Sequence, residues 1–459
     1  MNFYDTIAAL STPAGKGGVA VIRITGAEAI AVAERVFFAK SGKKLSELPA
    51  NVMTYGEIKS GGETVDDGMA VVFRAPRSFT GEDTVEINCH GGIFITQKVL
   101  SAVFAAGARP AEAGEFTRRA FVNGKIGLSQ AEALGSLLEA RSDSQLDLTR
   151  GALGGKIKTA CDEIYRELTK ILAQVYAKVD YPEEDLADMS ADEMKEALSG
   201  VLSRISTLKD TYKTGHAVVE GVRTVICGKT NVGKSSLYNR LVGREAAIVT
   251  DIEGTTRDLL TEQVSLGRVT LRLCDTAGIR ESSDAVEQIG VERAREEMER
   301  AELVLAVFDN SRPLDNEDVA IIDDIKKTNA TKIAIINKND ENPMICERTI
   351  NESFDTVIRI SAKNDDNINA LRAAVELLYI NEEIDVKNDA VLINARQNAA
   401  LERAQEHIQL AVGAIDAGMS ADLAGVDVEL AMAALAEIEG REVDEDVVSE
   451  IFSHFCVGK

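Results

Sequence analysis

The chain has 459 residues, of which 45% are hydrophobic and 27% charged, an ordinary composition for globular domains at a length that calls for two to four of them. Its net charge of −24 argues against non-specific nucleic-acid binding, because phosphates are repelled; a nucleic-acid role needs a local basic patch or a partner that supplies one. No apolar run reaches bilayer-spanning length and no basic-then-apolar leader opens the chain, which points to a cytoplasmic, non-membrane protein, and the six scattered cysteines form no C-x-x-C pair, indicating neither a zinc ribbon nor a disulfide framework.

Residues 1 to about 122 read as an α+β module. Gly18 to Ile24, Met69 to Phe73 and Thr84 to Cys89 are strand candidates, and His90-Gly91-Gly92 opens a helix through Ala106. Arg23 and Glu86 are charges in otherwise apolar strands, which by themselves read as a solvated strand face. From 123 to 218 the pattern is helical. Leu128, Ala131, Leu134, Leu137 and Leu138 recur at three- and four-residue spacing. Ser129 with Glu132 suggests a capping box, and Tyr181 to Asp185 interrupts the helices. Without tryptophan, these helices are expected to pack through Leu, Ile and Ala.

Residues 219 to 379 alternate strands and helices. Val269 to Cys274, Leu303 to Phe308, Lys332 to Ile336 and Thr356 to Ile360 are the strands, the signature of a mostly parallel sheet with helices on both faces. Residues 380 to 459 return to helix, with Ala395 to Ala417 alanine-rich, Ala421 to Glu450 acidic, and a tail of Phe455-Cys456-Val457-Gly458-Lys459. The doubly wound segment is thus inserted between two helical blocks that can join into one domain.

The chemistry concentrates in the insert. Gly228 to Ser235 reads G-K-T-N-V-G-K-S, a full match to G-x-x-x-x-G-K-[S/T]. It lies between an apolar run, Thr224 to Cys227, and the helix-like Ser236 to Leu241. That geometry aims backbone N–H groups and a helix N-terminus at a phosphate chain. Asn231, Val232, Gly233, Lys234, Ser235 and Ser236 form the cradle; Lys234 reaches the β- and γ-phosphates and Ser235 ligates Mg²⁺. Asp275-Thr276-Ala277-Gly278 is D-x-x-G after a strand, for Mg²⁺ through water and for the γ-phosphate. Asn337-Lys338-Asn339-Asp340 is N-K-x-D, where Asp340 accepts both N–H groups on the guanine edge, which adenine lacks. Ser361-Ala362-Lys363 completes the base pocket. Between the first two motifs, Thr250, Asp251, Ile252, Glu253, Gly254, Thr255 and Thr256 form a candidate switch, with Thr256 on Mg²⁺. These motifs in this order, each at a strand end, indicate GTP rather than ATP. Ile279-Arg280-Glu281 follows D-x-x-G, so the glutamine of Ras-type enzymes is absent and another group must orient water.

With the G-x-x-N-x-G-K-S loop, the T-D-I-x-G-T-T-R-D switch, the S-F-T-G-E-D…H-G-G stretch from Ser78 to Gly92 and the terminal Phe-Cys-Val-Gly-Lys, essentially the whole chain resembles the MnmE (TrmE) family of tRNA-modifying GTPases. The resemblance implies a multidomain α/β and α+β fold: an N-terminal folate-binding-like module, an all-α helical domain, and an inserted Ras-like P-loop GTPase domain. It implies a K⁺ ion on Asn231 and the backbone oxygens of Thr250, Ile252 and Thr255, in the place of an arginine finger. It makes Glu287 the catalytic glutamate, a residue that its acidic neighbours alone would leave as a solvated side chain.

The same resemblance puts a one-carbon donor, 5,10-methylene- or 5-formyl-tetrahydrofolate, on Arg23, Glu86, Lys125 and Lys459, with Cys456 nearby as a possible tRNA-modification cysteine. It implies a homodimer and a heterotetramer with the FAD-binding partner MnmG, which together add a carboxymethylaminomethyl-type group at C5 of the tRNA wobble uridine. Two departures are Thr230, where proline is usual, and Glu253, where a small residue is commoner. A GTP switch in ribosome assembly shares the nucleotide motifs but not the N-terminal stretch or the tail. A folate module with a merely structural G domain is opposed by the intact Lys234, Asp275 and Asp340.

Overall fold

The computed structural model describes residues 5–180, 189–245, 262–274, 296–441 and 443–458. The chain divides into two units. One contains Met1–Gly135, Cys161–Arg166 and Val428–Lys459; the other contains Ser136–Ala160 and Glu167–Asp427.

The first unit is built on a seven-stranded sheet. In sequence order its strands are β1 (Ile7–Leu10), β2 (Val19–Thr25), β3 (Phe37–Ala39), β4 (Thr54–Ser60), β5 (Glu63–Phe73), β6 (Thr84–His90) and β7 (Arg109–Pro110). Their spatial order is β3-β4-β5-β6-β2-β1-β7, antiparallel except for the β1–β7 pair. Strand alternation decides what each face does. In β2, Ala20, Ile22 and Ile24 join Ile58, Val72, Val85 and Ile87 in a core that also takes Val99 and Val103 of the helix Ile93–Ala105. Arg23, between Ile22 and Ile24, falls on the opposite face. His90 ends β6 rather than opening the helix, and its backbone N–H and Nδ1 each lie 2.8 Å from an oxygen of Asp66. This is a turn brace.

Ser129 is not a cap. It lies inside the helix Leu128–Glu139, fully buried, and its hydroxyl donates to Glu439 Oε1 at 2.5 Å. The backbone N–H of Gly127 is instead taken by Gln130 Oε1 at 3.0 Å. The acidic stretch after Ala421 forms two helices, Ala421–Ile438 and Glu445–Ser453. Phe452 of the second packs with Leu128 and Ala131.

The second unit holds a six-stranded sheet of β8 (Val222–Cys227), β9 (Glu262–Leu266), β10 (Val269–Leu273), β11 (Leu303–Asp309), β12 (Thr331–Asn337) and β13 (Thr356–Arg359). The spatial order is β13-β12-β11-β8-β10-β9, parallel except for the β9–β10 hairpin. Every residue of β11 is buried, as expected of a central parallel strand covered on both faces. Leu303, Leu305 and Val307 face one core with Ile333 and Leu371; Val304, Ala306 and Phe308 face another with Ile322 and Ile336.

The helices Ala191–Asp210 and Ala395–Asp416, which precede and follow this sheet in the chain, pack on one another. Their buried positions include Leu198, Val201, Ile205 and Leu208 on one and Ala400, Leu401, Ala404 and Ile408 on the other. The sheet is pinned to the helix Asp143–Leu153 by Gln145 Nε2 donating to Thr270 Oγ1 at 2.9 Å, and the helices Tyr212–Val219 and Ile368–Tyr379 are joined by Thr214 Oγ1 donating to Tyr379 O at 3.1 Å. Among the described residues no helix is long and apolar enough to cross a membrane.

His216 joins helix to sheet. Its Nδ1 lies 2.7 Å from Glu220 Oε2 and its Nε2 lies 2.9 Å from Glu302 Oε1. Burial alone would lower its pKa, but the two carboxylates outweigh burial and raise it to about 9. A folded-state pKa above the unfolded one stabilises fully below the unfolded value, about 6.5, and the contribution is lost as pH rises through 9. Thermal melts should therefore show the wild type losing more stability than His216→Gln between pH 7 and 10. Parallel losses would assign His216 no such role.

Candidate functional site

The nucleotide site grows from the end of β8. The chain leaves Cys227 through Gly228 at φ +138°, Asn231 at +63° and Gly233 at +102°, then enters the helix Lys234–Glu245. A Cβ on Gly228 would collide with Val307 O, and one on Gly233 with the Asn337 amide. These two positions need glycine for both space and backbone angle. Val232 is buried at the loop's centre. Lys234 Nζ donates to Gly228 O at 2.7 Å and Lys229 O at 2.8 Å, so its ammonium is folded over the loop. Burial depresses its pKa. Phosphate oxygens are stronger acceptors for the same ammonium than carbonyls are.

Asn337 closes the site from beneath. It is 3% exposed. Its Nδ2 donates to Val232 O at 2.8 Å and its Oδ1 accepts from Ala362 N at 3.0 Å, so one amide ties the phosphate loop to the Ser361-Ala362-Lys363 turn. Arg240, from the helix after the phosphate loop, donates to Ala362 O at 2.9 Å and Lys363 O at 2.8 Å. Asp340 Oδ1 accepts from Ser361 Oγ at 2.6 Å, a bond that holds the Asp340 carboxyl below its usual range. The carboxylate stays exposed and available to a base edge. The structure thus brings together Asn231, Val232, Gly233, Lys234, Ser235, Ser236, Asn337, Lys338, Asp340, Ser361, Ala362 and Lys363. Thr250, Asp251, Ile252, Glu253, Gly254, Thr255, Thr256, Asp275, Thr276, Ala277, Gly278, Glu287 and Lys459 lie outside the described residues.

Sequence reasoning missed Asp309 and Arg240. Asp309 carried a signal, an acid closing an otherwise apolar strand run. Arg240 carried none.

A second constellation lies on the open face of the first sheet. Arg23 and Glu86 are partners in register across β2 and β6. Arg23 Nε and Nη2 approach Glu86 Oε1 at 2.9 and 2.8 Å, and the guanidinium carbon lies 5.6 Å from the ring centres of both Phe79 and Phe116. The pair is therefore not a freely solvated face; it is an ion pair between aromatic walls. Asn88, two residues along β6 from Glu86, has a buried Nδ2 with no hydrogen-bond partner. Lys125 Nζ donates to Pro76 O at 2.9 Å.

The C-terminal tail docks on this same module. Val457 bridges Ala113, Gly114 N donates to Cys456 O at 3.4 Å, and Ser11 Oγ donates to Gly458 O at 3.0 Å. Gly458 has φ +98° and no room for a Cβ against Leu10 O. Cys456 is exposed. Among the described residues, Asp66, Asp67 and His90 bring possible metal-ligand atoms within 4.8 Å of one another. Asp66 is spent on His90, and Asp67 accepts from Tyr55 Oη at 2.6 Å, so the cluster is explained as a brace.

Comparison with known proteins covers both halves. Residues 128–456 match the family described as the MnmE helical domain, and residues 6–125 match the GTP-binding protein TrmE N-terminus. A tRNA modification GTPase MnmE of Lactococcus lactis subsp. lactis is 40% identical over 457 residues, covering 99% of each chain. One of Geobacillus kaustophilus is 41% identical over 464 residues, covering 100% of each. A solved structure of Aquifex aeolicus Era bound to GDP and aluminium fluoride is 26% identical, covers 41% of this chain and 67% of that one, and has a TM-score of 0.28.

The Asn337 clamp makes a direct prediction. Asn337→Asp keeps an acceptor for Ala362 but cannot donate to Val232 O. Leaving that buried carbonyl unpaired costs about 1–3 kcal/mol, and a loop that must recover this cost to close on nucleotide binds GDP roughly 5- to 150-fold more weakly. Titration with a fluorescent GDP measures it; unchanged affinity would remove the clamp from the binding machinery.

Proposed function

The chain belongs to the MnmE family of tRNA modification GTPases, and from that membership we propose that its GTP hydrolysis drives modification of the tRNA wobble uridine. It is a GTP hydrolase. The observation that carries the nucleotide assignment is the Asn337 bridge between phosphate loop and base turn, with Asp340 seated by Ser361. Asp340 accepts the N–H groups of the guanine edge, and a pocket built to pair them rejects a base that lacks them. Lys234 exchanges its carbonyl partners for β- and γ-phosphate oxygens.

Ser235 and Thr256 hold Mg²⁺, with Asp275 reaching it through water. Asn231 and the backbone oxygens of Thr250, Ile252 and Thr255 hold K⁺. When bound, these cations supply the positive charge that phosphoryl transfer needs where no arginine finger exists. Asn231 has a left-handed backbone and is exposed, which suits this ligand role. Glu287 orients the attacking water.

The N-terminal module binds a tetrahydrofolate, 5,10-methylene or 5-formyl, that supplies the one-carbon unit. A charged pair, two aromatic walls and the unused Asn88 amide donor suit a conjugated ring with a polar edge. Lys125 and the terminal Lys459 complete the contacts, and the docked tail keeps Cys456 beside them. With the FAD-binding MnmG in a heterotetramer, the homodimer installs a carboxymethylaminomethyl-type group at C5 of the wobble uridine in the cytoplasm. MnmG supplies basic surface for tRNA that a chain of net charge −24 lacks. We assign the N-terminal module to 1–122, the helical domain to 123–218 and 380–459, and the G domain to 219–379.

Cells without this protein should lose the wobble-uridine modification, read by mass spectrometry of digested tRNA; an intact modification would overturn the assignment. GTP turnover in K⁺ should exceed that in Na⁺ by roughly ten-fold or more, the scale expected when a transition-state charge is supplied; equal rates would exclude the cation site. Titration of 5-formyl-tetrahydrofolate should show saturable binding that Arg23→Ala weakens by about ten-fold, equivalent to one charge-assisted contact. Wild type that does not bind would remove the folate site.

A further inference from the structure

β11 ends in a buried carboxylate that the nucleotide motifs do not include. Asp309 is 7% exposed and stands abreast of Asn337 in the β11–β12 register. Its Oδ1 accepts from Ser311 N at 2.9 Å and Ser311 Oγ at 2.7 Å. Its Oδ2 accepts from Lys338 Nζ at 2.6 Å. The next residue, Asn310, donates its N–H to Asn337 O at 2.9 Å, so the two strand ends are joined on either side of the pair. Burial would raise the Asp309 pKa, but Lys338 and Ser311 together hold it below the usual range.

A carboxylate this buried is costly unless its charge is used. The Ser311 bonds need only an oxygen acceptor, which an asparagine would supply. The negative charge is needed for the lysine. Lys338 has φ +63°, an uncommon backbone angle for a long side chain, and lies two residues before Asp340. A lysine whose ammonium is tied down presents its methylene stem in one place, as an apolar surface.

We propose that Asp309 is a positioning residue for guanine binding, acting through Lys338, whose anchored stem forms one wall against the face of the base. The proposal rests on the reading that the Asn337 to Asp340 loop takes guanine. Asp309 touches no nucleotide atom itself; it converts a mobile lysine into part of a preformed pocket, so less side-chain freedom is lost on binding.

A double-mutant cycle tests this on the full chain with fluorescent GDP and IDP. Asp309→Asn and Lys338→Ala should each weaken GDP binding by about ten-fold, and the double variant should bind within about two-fold of Lys338→Ala alone, the non-additivity of residues acting as a unit. Asp309→Asn should weaken GDP and IDP alike, because a ring-face contact does not read the exocyclic amine that Asp340 reads. Additive losses, a loss confined to GDP, or unchanged affinity in Asp309→Asn would overturn it. If Asp309→Asn melts at assay temperature, Ser311→Ala, which removes support but keeps the ion pair, replaces it in the cycle. Non-additivity with Lys338→Ala is again expected, and additivity again overturns the proposal. Wild type that fails to bind GDP would instead overturn the GTPase reading itself.

Discussion

One amide side chain organises the nucleotide site. Asn337 spends both ends of its amide on backbone, one on the phosphate loop at Val232 and the other on the base turn at Ala362. Backbone groups at these depths must be paired or they cost free energy, so the amide satisfies two loops at once and fixes the distance between phosphate cradle and base pocket. Gly233 exists in the space this leaves, since any Cβ there would meet the Asn337 amide. The N-K-x-D asparagine is thus a structural strut, and the aspartate three residues on is seated by Ser361 with its carboxylate left exposed.

The strut works because the parallel sheet delivers its parts in register. Cys227 lies abreast of Ala306, and Asn337 abreast of Asp309. The carboxyl ends of β8, β11 and β12 therefore finish at one edge, where open α/β sheets bind ligands. The same register explains why Asp309 can reach Lys338. Two buried faces on β11 keep that edge rigid, so the loops inherit their positions from packing rather than from their own sequences.

In the first unit the organising element is charge. Arg119 is 1% exposed, yet its guanidinium meets Asp5 Oδ1 at 2.6 Å, Glu115 Oε1 at 3.0 Å and Glu82 Oε2 at 3.2 Å. Arg109 forks onto both oxygens of Glu115 at 2.8 and 2.6 Å. Burial would raise the Glu115 pKa, but the two arginines hold it low. A buried charge persists when opposite charges offset its desolvation, and this network ties the entry to β1, the turn before β6 and the helix Glu115–Val122 together. It also gives the Ser78 to Gly92 stretch a physical meaning. Phe79 walls Arg23, Thr80 bonds Thr25 at 2.7 Å, and Glu82 meets Arg119.

Much of this was legible in the chain itself. Local patterns, read one strand or one loop at a time, were enough for the strands β8, β10, β11, β12 and β13, the glycine-bearing phosphate loop and the guanine motif. Each is specified by residues adjacent in sequence, through periodicity, backbone angle and hydrogen-bonding capacity. Partnerships across distant sequence were not legible. Ser129 read as a cap because a capping box is a local pattern, but Glu439, more than three hundred residues away, takes its hydroxyl. Arg23 and Glu86 read from their strands alone as solvated charges; the family resemblance made them folate contacts, and only strand register set them side by side as an ion pair. Short strands such as β1, β3 and β7 have too few residues to show a period, and only their neighbours define them. Arg240 meets the base turn, and Asp309 meets Lys338, only because packing carries them there. Sequence determined which elements form and which ligand edge the loops can pair; tertiary structure decided which side chains meet, because contact energy depends on spatial distance and local sequence pattern does not encode it.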